Sequence, residues 1–508
     1  MHQKVKQVYL IFCLLAVVIS TRAQVLTDKR IEVPESDNFS IVSCHPMGER
    51  GMVVLGYSLK DKSSPNHYTV VFYDTDLNVI SKREVVIPKK QYLSFNYLQD
   101  DALYLFFTNQ KKGTMTIEKV SPDPSSIFVT SVLIAPKTWM GECFVLGNYA
   151  YITSQLRNND FITRVDLIHG QKELLKFGNG PNSGVSIQNI ELSPDKGSLQ
   201  IQYQDCSSRK PCTVFLRLYD KQGNQTREFK IEPDADKAIA SISATAMEDG
   251  SYIVSGTFST GSVYTGLYGR TDGFFFARYR NGKQEFTKYY RYTDLKNFFS
   301  FMSEKKQEKL EKKLERKEKK GKELDLSIRM ALHPILLVNG NYTLVGEAYF
   351  ATYKTETYTT YTNGQPVTQM RNVFDGYQYS HATAVTFDGN GELLYDQILE
   401  MWLFYKPFTI KRFVKVYAKD DHIALVFVNG PDIKSVTFKG NEIEQEREVG
   451  KIDSGNEGDK IRISDSEMDH WYDRHFVIYG YQTIQNKDDP NIFNKRSVYF
   501  IQKVTYGI

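Results

Sequence analysis

The sequence contains few of the residues that interrupt regular secondary structure or cross-link the chain. Its 508 residues include 16 prolines and five cysteines, too few for a proline-rich disordered chain, a collagen-like chain or a disulfide scaffold. Positive and negative side chains nearly cancel to a net charge of +4, so overall charge does not indicate a nucleic-acid partner. After the first 19 residues no apolar run is long enough to predict a transmembrane helix.

Aromatic residues, by contrast, are abundant. The chain has 33 Tyr and 31 Phe, aromatics make up 13% of it, and hydrophobic residues reach 41%. A chain this long and apolar can bury a large core. Its length predicts either two or three ordinary domains or one large repeat architecture.

The first 23 residues have the pattern of a secretory signal peptide. Lys4 and Lys6 precede a 12-residue apolar run, Val8 to Ile19, which is too short to span a bilayer. Thr21-Arg22-Ala23 is a small-x-small cleavage site, so the mature chain is predicted to begin at Gln24. The alternative is a membrane anchor. We therefore expect an exported protein of the periplasm, the outer-membrane surface or the extracellular space.

Four cysteines remain after this cleavage. Cys206 and Cys212 enclose a short loop between two predicted strands, which in an oxidising compartment indicates a disulfide. A zinc knuckle is the alternative, but it would need two further ligands nearby. Cys44 and Cys143 lie in apolar strands, where buried free thiols are expected.

A repeated hairpin pattern runs along the whole chain. An alternating apolar strand such as Phe215 to Tyr219 is followed by a tight polar turn such as Asp220 to Gly223, and a second hairpin precedes each copy. The copies fall near positions 73, 117, 167, 219, 279, 387, 438 and 500. Four antiparallel strands per repeat predict an all-β fold, a single β-propeller of seven or eight four-stranded blades.

The two ends of the chain are predicted to complete one blade together. Val498 to Val504 would be the third strand of the last blade, and Val25 to Val33 would supply its missing outer strand. Such closure removes exposed sheet edges. An outer-membrane barrel and two tandem β-sandwiches are the rival all-β folds, but the four-strand period and the lack of a linker disfavour them.

Loop lengths indicate which face of the ring is used. If the strands of a blade are labelled a to d from the centre outward, a–b and c–d turns share one face, and b–c loops and d–a crossovers share the other. The long segments are b–c loops and one crossover: 60–67, 204–213, 260–273, 351–377, 486–497 and the crossover 297–327. Long loops on a rigid scaffold are frequent binding sites, so this b–c face is the candidate functional face.

The crossover 297–327 is predicted to contain a charged helix. Residues 303–323 hold ten Lys or Arg and six Glu, with Ser303 as a cap, Gly321 as a stop and Glu308–Lys312 as a supporting pair. So polar a helix buries little, and it is either a solvated arm or a contact for an anionic partner. Its candidate contact residues are Lys305, Lys309, Lys312, Lys313, Arg316 and Lys317.

The loop 351–377 is predicted to be a projecting β-hairpin that turns at Asn363-Gly364. It carries four tyrosines, which suit recognition because they offer rigid area and a polar tip. They are Tyr353, Tyr358, Tyr361 and Tyr377. The alternative is a hairpin lying on the neighbouring blade. We expect helix and hairpin to lie side by side as one basic and aromatic surface for an envelope protein or an anionic polysaccharide.

Part of the chain resembles a known group of proteins. The segments 346–350 and 373–381, the Tyr/Thr hairpin and the basic insertion before an apolar strand resemble uncharacterised exported proteins of Bacteroidota. The resemblance is best over about residues 300–400. It implies export and implies no known activity.

Motifs for catalysis or cofactor binding are lacking: no nucleophile elbow, phosphate loop, zinc-protease motif or dinucleotide fingerprint occurs. His45, His333 and His470 lie near predicted inner strands and could converge on a metal in the channel, but three scattered histidines arise easily by chance. No cofactor, metal or catalytic residue is predicted.

The sequence therefore predicts an exported, monomeric, non-catalytic binding or scaffold module of the cell envelope, with no nucleic-acid partner. The alternative is a glycan-active hydrolase or metal-dependent lyase with its site in the central channel.

Overall fold

A computed structural model describes residues 26–34, 39–58, 67–156, 159–178, 184–193, 195–206, 212–260, 269–321, 324, 326, 328–362, 365–486 and 495–506. The predicted signal peptide and cleavage site lie outside these residues. The described strands form eight antiparallel sheets that follow one another along the chain. The fold is an eight-bladed β-propeller, which confirms the predicted fold class and decides between seven and eight blades.

The first four blades use consecutive strands, ordered a to d from the centre outward. Blade 1 contains β2 (Phe39–Pro46), β3 (Met52–Ser58), β4 (His67–Tyr73) and β5 (Val79–Val86). Blade 2 contains β6 (Tyr92–Gln99), β7 (Ala102–Asn109), β8 (Thr114–Val120) and β9 (Phe128–Leu133). Blade 3 contains β10 (Trp139–Leu146), β11 (Tyr149–Leu156), β12 (Asn159–Asp166) and β13 (Lys172–Leu175). Blade 4 contains β14 (Val185–Leu192), β15 (Ser198–Asp205), β16 (Thr213–Asp220) and β17 (Gln225–Ile231).

The other four blades include the irregular ones. Blade 5 contains β18 (Lys237–Ala246), β19 (Tyr252–Thr260), β20 (Gly273–Arg280) and β21 (Lys283–Arg291). Blade 6 contains β22 (Arg329–Leu332), β23 (Leu336–Val338), β24 (Asn341–Thr362), β25 (Gln365–Phe387) and β26 (Leu393–Glu400). Blade 7 contains β27 (Lys415–Lys419), β28 (His422–Asn429), β29 (Asp432–Lys439) and β30 (Glu442–Lys451). Blade 8 contains β31 (Lys460–Tyr472), β32 (His475–Gln485), β33 (Arg496–Thr505) and the N-terminal strand β1 (Leu26–Pro34).

Helices are short and lie between strands. The crossover from blade 5 to blade 6 contains the α-helix α1 (Glu304–Glu318). Three single-turn 3₁₀ helices occupy Gly48–Arg50, Pro124–Ser126 and Tyr292–Asp294. Within the described residues, no helix is long and apolar enough to cross a membrane.

The repeat comes in part from one kind of c–d turn. In blades 1, 4 and 6 an aspartate ends strand c or directly follows it, and its Oδ1 accepts a hydrogen bond of 2.8 Å from the backbone N–H four residues later. These aspartates are Asp74, Asp220 and Asp388. In blade 6 the turn places Gly391 at φ +74°, where glycine avoids the strain that a Cβ would cause. The polar turns predicted from the sequence therefore form by a shared mechanism.

The hydrophobic core lies between the blades rather than inside any one of them. Eight clusters of buried apolar side chains are present, and each combines residues of two neighbouring blades. The cluster between blades 8 and 1 joins Trp471 and Ile501 to Met52 and Val54. A blade buries its two faces only against its neighbours, so the stability of each blade depends on a closed ring.

The ring closes through β1, as predicted. This strand pairs antiparallel with β33 from Leu26↔Thr505 to Pro34↔Val498. The side chain of Arg30 is only 7% exposed and donates to Gln482 Oε1 at 2.8 Å and Gln502 Oε1 at 3.3 Å. Its guanidinium also lies 4.5 Å from the ring centroid of Phe500. One buried cation therefore ties the outer strand to the two strands inside it.

The cysteines are arranged as the sequence predicts. Cys206 and Cys212 form a disulfide that joins the end of β15 to the start of β16. Cys44 and Cys143 are buried free thiols, and burial raises the pKa of both. Neither thiol is therefore a ready nucleophile.

We predict that Arg30→Ala lowers the free energy of unfolding by about 2–4 kcal/mol, because it leaves buried acceptors without their donor. Urea unfolding followed by tryptophan fluorescence measures this loss. Lys29→Ala is the matched control, since Lys29 makes an exposed hydrogen bond to Asn78 and should cost less than about 1 kcal/mol. Equal effects of the two changes would show that Arg30 does not hold the ring closed.

We also predict that the double change Cys206→Ser and Cys212→Ser lowers the free energy of unfolding by about 2 kcal/mol, because a short cross-linked loop restricts the unfolded chain only modestly. Urea unfolding of oxidised and mutant protein gives the difference, and peptide mapping without reductant identifies the bond. Two free thiols in protein purified from the exported fraction would contradict the assignment.

Candidate functional site

Helix α1 extends from the ring as a polar rod. Ser303 occupies its N-cap position, and Glu308 and Lys312 lie 4.0 Å apart as the predicted supporting pair. The helix ends at Glu318 rather than at Gly321, which lies beyond it in a left-handed conformation. Five of the six predicted basic contact residues are exposed: Lys305, Lys309, Lys312, Lys313 and Arg316, while Lys317 is half-buried. The helix offers positive charge and little apolar area.

The segment before this helix is, in contrast, part of the core. Tyr292 and Phe298 are fully buried and stack at 4.5 Å. Phe301 stacks on the imidazole of His381 at 4.0 Å and contacts Trp402 at 6.4 Å. Burial lowers the pKa of His381 to about 3, so this imidazole is neutral. The predicted insertion 297–327 therefore comprises an anchored root and a solvent-exposed helix.

The hairpin of blade 6 is a long projection from the ring. Strands β24 and β25 have 22 and 23 residues and remain paired to Thr362↔Gln365. Their last ten or so pairs extend roughly 35 Å beyond the end of the blade. This confirms the predicted projecting hairpin, while the turn residues Asn363 and Gly364 lie outside the described residues.

The two faces of this hairpin differ in chemistry, because side chains alternate along a strand. One face carries the cross-strand pairs Tyr353↔Phe374, Thr357↔Met370 and Tyr361↔Pro366. Tyr353, Tyr361 and Met370 are 65%, 76% and 76% exposed. This face has exposed aromatic and apolar groups with no charged residue among these pairs.

The opposite face is polar. Glu356 accepts from Arg371 at 3.2 Å and lies 3.4 Å from Lys354. The Arg371 guanidinium lies 5.4 Å from the ring of Tyr358, whose hydroxyl donates to Gln369. The polar side chains named here are therefore paired with one another.

The structure therefore separates the four predicted tyrosines. Tyr353 and Tyr361 share the apolar face, and Tyr358 lies on the polar face. Tyr377 is half-buried at the base of the hairpin, where it packs against Tyr349 at 5.4 Å and Phe374 at 5.0 Å. The four tyrosines therefore do not share one face, because a strand pair presents alternate residues to opposite sides.

A second aromatic segment adjoins the apolar face of the hairpin, and the sequence analysis missed it. Residues 401–414 form the crossover from blade 6 to blade 7. Phe404 and Phe408 are 71% and 70% exposed, and Phe408 lies 5.9 Å from Phe374 of the hairpin. We call the six side chains together the aromatic surface: Tyr353, Tyr361, Met370, Phe374, Phe404 and Phe408.

Hydrogen bonds hold this crossover against the base of the hairpin. The N–H of Tyr377 donates to the carbonyl of Pro407 at 2.8 Å, and Lys406 Nζ lies 2.7 Å from Asp375 Oδ2. At Gly376 a Cβ would lie 2.5 Å from the carbonyl oxygen of Lys406, so only glycine permits this approach. Phe404 is fixed by a 2.7 Å hydrogen bond from its N–H to Asn429 Oδ1. The aromatic surface is thus presented on a rigid base.

The three predicted channel histidines do not meet. His45 contacts Asn96 of the next inner strand through Nε2 at 2.6 Å. His333 pairs with the fully buried Glu347 at 2.7 Å, and His470 contacts the carbonyl of Asp473 near an a–b turn. In the part of the chain that the structure describes, no group of three His, Cys, Asp or Glu side chains could hold a metal ion.

An ion pair joins two parts of the channel wall. Arg412, at the end of the 401–414 crossover, lies 2.9 Å from Glu191 on the inner strand of blade 4. The carboxylate of Glu347 fixes the backbone beside it by accepting from the N–H groups of Phe413 at 3.0 Å and Val414 at 2.9 Å. Glu347 and His333 therefore position this segment.

Comparisons with known proteins find remote structural similarity. No protein-family model matches the chain, and no curated protein matches it in sequence. Solved structures similar to it include the "Dos1 propeller" at 10% identity and a TM-score of 0.39, covering 94% of this chain and 95% of that chain. The Nup133 β-propeller domain of Vanderwaltozyma polyspora is similar at 9% identity and a TM-score of 0.36, covering 94% of this chain and 100% of that chain. Polysaccharide lyase Uly1 is similar at 9% identity and a TM-score of 0.37, covering 94% of this chain and 99% of that chain. Similarity this remote carries no argument about activity.

We predict that replacing residues 303–323 by a short Gly/Ser linker changes the free energy of unfolding by less than about 1 kcal/mol, because the helix contributes little apolar burial. Phe298→Ala should instead cost about 3–5 kcal/mol, because it opens a cavity in the core between blades 5 and 6. Chemical unfolding of both variants tests the division between root and helix. Unfolding of the linker variant would show that α1 is structural.

Proposed function

We propose that the protein is an exported binding or scaffold module of the cell envelope that binds another protein through the aromatic surface. The observation that carries this proposal is that five of the six large side chains of this surface are exposed, while Phe374 is half-buried and lies 5.9 Å from Phe408. Soluble proteins seldom expose such groups together unless a partner covers them.

The composition of the surface supports a protein partner over a polysaccharide. Exposed Phe404, Phe408 and Met370 are apolar to their tips, and aromatic residues and Met are enriched at the centres of protein interfaces. Sugar recognition also needs polar groups beside the ring that it stacks on. The hydrogen bonds at Tyr377 and Phe404 lower the entropy lost on binding, because the crossover is already ordered.

The basic helix adds an electrostatic contribution to the same proposal. Helix α1 and the hairpin both emerge on the b–c face of the ring, since one lies on a d–a crossover and the other joins strands b and c. Exposed Lys and Arg side chains on α1 would attract an acidic partner and raise its association rate. Their effect should weaken with salt, whereas contacts with the aromatic surface should persist.

The alternative function, a glycan-active enzyme in the channel, has one observation in its favour. Glu142 and Glu191 lie on the inner strands of blades 3 and 4 and line the same chamber. The surrounding protein raises the pKa of Glu142 by desolvation. A hydrolase needs one carboxyl group that stays protonated and another that stays ionised, and this chamber contains two carboxyl groups in different surroundings.

The test is site-specific photo-cross-linking within envelope fractions. Benzoylphenylalanine is placed at position 353, 404 or 408 of the aromatic surface, or at position 358 on the polar face of the same hairpin as the matched control. We expect one protein, identified by mass spectrometry, to be captured from the first three positions and not from 358.

Binding of the purified partner then gives the energetics. Phe404→Ala with Phe408→Ala should weaken binding at least about tenfold, whereas Tyr358→Ala should change it less than about threefold. Equal capture from position 358 would refute the surface assignment. Envelope binding that survives protease treatment of the envelope would indicate a polysaccharide and refute a protein partner.

A further inference from the structure

The projecting part of the blade 6 hairpin has an open edge. Inside the ring, β24 lies between β25 and the inner strands β22 and β23, and its pairing with β22 ends at Arg329↔Tyr349. From Phe350 to Thr362, β24 pairs with β25 alone among the described residues. The backbone groups that point away from β25 along this stretch therefore form a strand edge, which is a template for pairing with another chain.

This edge lacks the features that protect exposed strands. Natural proteins guard such edges with charged side chains, proline or short strands, but β24 contains no proline, and residues 357–362 are all Thr or Tyr, which favour strands. The other edge differs, because Pro366 of β25 has no N–H and the N–H of Tyr377 is already bonded to Pro407. The edge of β24 is therefore the one open to pairing.

The projecting ribbon also has no core of its own. The side chains of residues 353–361 and 365–372 are exposed, apart from Glu356 and Thr360, which are half-buried. A two-stranded hairpin is at best marginally stable in water, and independent stability needs three or more strands. Added strands would therefore stabilise this ribbon.

We propose that two copies of this chain pair antiparallel through the edge of β24, about a two-fold axis at Thr357, and so form a four-stranded sheet. A two-fold axis brings the same surface of both copies together, so the edge must match itself. Pairing over residues 353–361 forms about eight to ten main-chain hydrogen bonds, which is close to the number in a typical protein interface.

The sequence of the edge matches itself in this register. With Thr357 on the axis, Tyr353 lies opposite Tyr361 of the second copy, and Thr355 lies opposite Thr359 of the second copy. Aromatic pairs and Thr–Thr pairs directly opposite each other stabilise antiparallel sheets. The two tyrosines are 65% and 76% exposed and share one face of the hairpin, so both are available for such pairs.

Charge disfavours the neighbouring registers. An axis at Glu356 would place glutamate against glutamate, and one at Lys354 would place lysine against lysine, which destabilises a sheet. An axis at Thr355 would extend the pairing across the irregularity between Ala351 and Tyr353. The axis at Thr357 avoids like charges and uses only the regular part of the strand.

This inference goes beyond the proposed function and does not depend on it. It departs from the monomer expected from the sequence. A two-fold axis between antiparallel strands is perpendicular to the sheet, so the apolar faces of both hairpins lie on the same side and the dimer presents the aromatic surface twice. A photo-cross-linker on the ribbon should then also capture the chain itself, which mass spectrometry distinguishes from another protein.

Cysteine cross-linking of the full chain tests the register. Thr357→Cys meets its own copy at a Cα–Cα distance of about 5 Å, which permits a disulfide, so we expect a covalent dimer on oxidation. Thr355→Cys and Thr359→Cys are the matched controls: each alone should form at least about tenfold less dimer, whereas a mixture of the two should cross-link. The natural thiols Cys44 and Cys143 are buried and do not interfere. Bonding of either control alone as efficient as that at 357 would overturn the proposal.

Sedimentation of the variants tests the dimer without cross-linking. Thr357→Lys places two lysines against each other and should weaken dimerisation at least about tenfold. Thr368→Lys, an equally exposed change on the same face but on β25, should leave it within about threefold. Phe404→Ala with Phe408→Ala should also leave the dimer intact, even if it abolishes binding of another protein. A wild-type chain that is monomeric at every concentration, or a dimer lost in the Phe variant and kept in Thr357→Lys, would overturn the proposal.

Discussion

The pairing of β1 with β33 is the constraint on which the rest of the molecule depends. Each blade is one antiparallel sheet whose two faces are buried only by the neighbouring blades, so a single open interface would expose two apolar faces at once. The last blade is assembled from both ends of the chain, and the buried Arg30 joins its outer strand to the strands inside. On the same blade, Arg496 pairs with the buried carboxylate of Asp459 and also lies 3.4 Å from Glu32 of β1. Closure therefore rests on hydrogen bonds and buried charge as well as on apolar packing.

The same ring geometry brings polar side chains together at its centre. Inner strands approach one another there, and their polar groups must be paired because burial without a partner is costly. Several contacts cross blade boundaries: Lys415 of blade 7 lies 2.8 Å from Asp469 of blade 8, and Gln200, on the second strand of blade 4, bonds both the N–H and the carbonyl of Ala244 on the inner strand of blade 5. Glu142 and Asn189 lie on the inner strands of blades 3 and 4 but are exposed and half-buried respectively, so this requirement does not apply to them.

The sequence predicted those features that depend on local chemistry. Asp-containing turns after alternating strands predicted the repeat, and two closely spaced cysteines predicted the disulfide. The capped run of charged residues predicted the helix. Two irregularities could not be predicted. Register shifts in the hairpin between Ala348 and Tyr349 and between Ala351 and Tyr353 decide which face of the projecting hairpin continues each face of the blade. Bulges of this kind depend on the partner strand, so counting alternate residues from the blade outward fails beyond them.

Contacts between residues that are distant in the sequence could not be predicted either. Arg412 and Glu191 are 221 residues apart, and no local pattern indicates that they meet across the channel. The histidines near the inner strands were noticed because imidazole is a common ligand, yet His333 is held by Glu347, which no motif marks. A signal was present for the 401–414 crossover, where Trp402, Phe404, Tyr405 and Phe408 follow a strand end closely. It was overlooked because aromatic residues are common throughout this chain.

One segment connects the two candidate sites physically. The crossover 401–414 carries Phe404 and Phe408 on the outside of the ring and Arg412 in the channel wall. It is fixed between them by the hydroxyl of Tyr379, which donates to the carbonyl of Lys411 at 2.8 Å and accepts from its N–H at 3.0 Å. Both ends of the segment are also held, because Asn429 bonds Phe404 and Glu347 bonds Phe413 and Val414. A displacement at one site must therefore break several hydrogen bonds before it reaches the other site. The structure thus favours a crossover whose outer end and channel end each keep a preformed geometry.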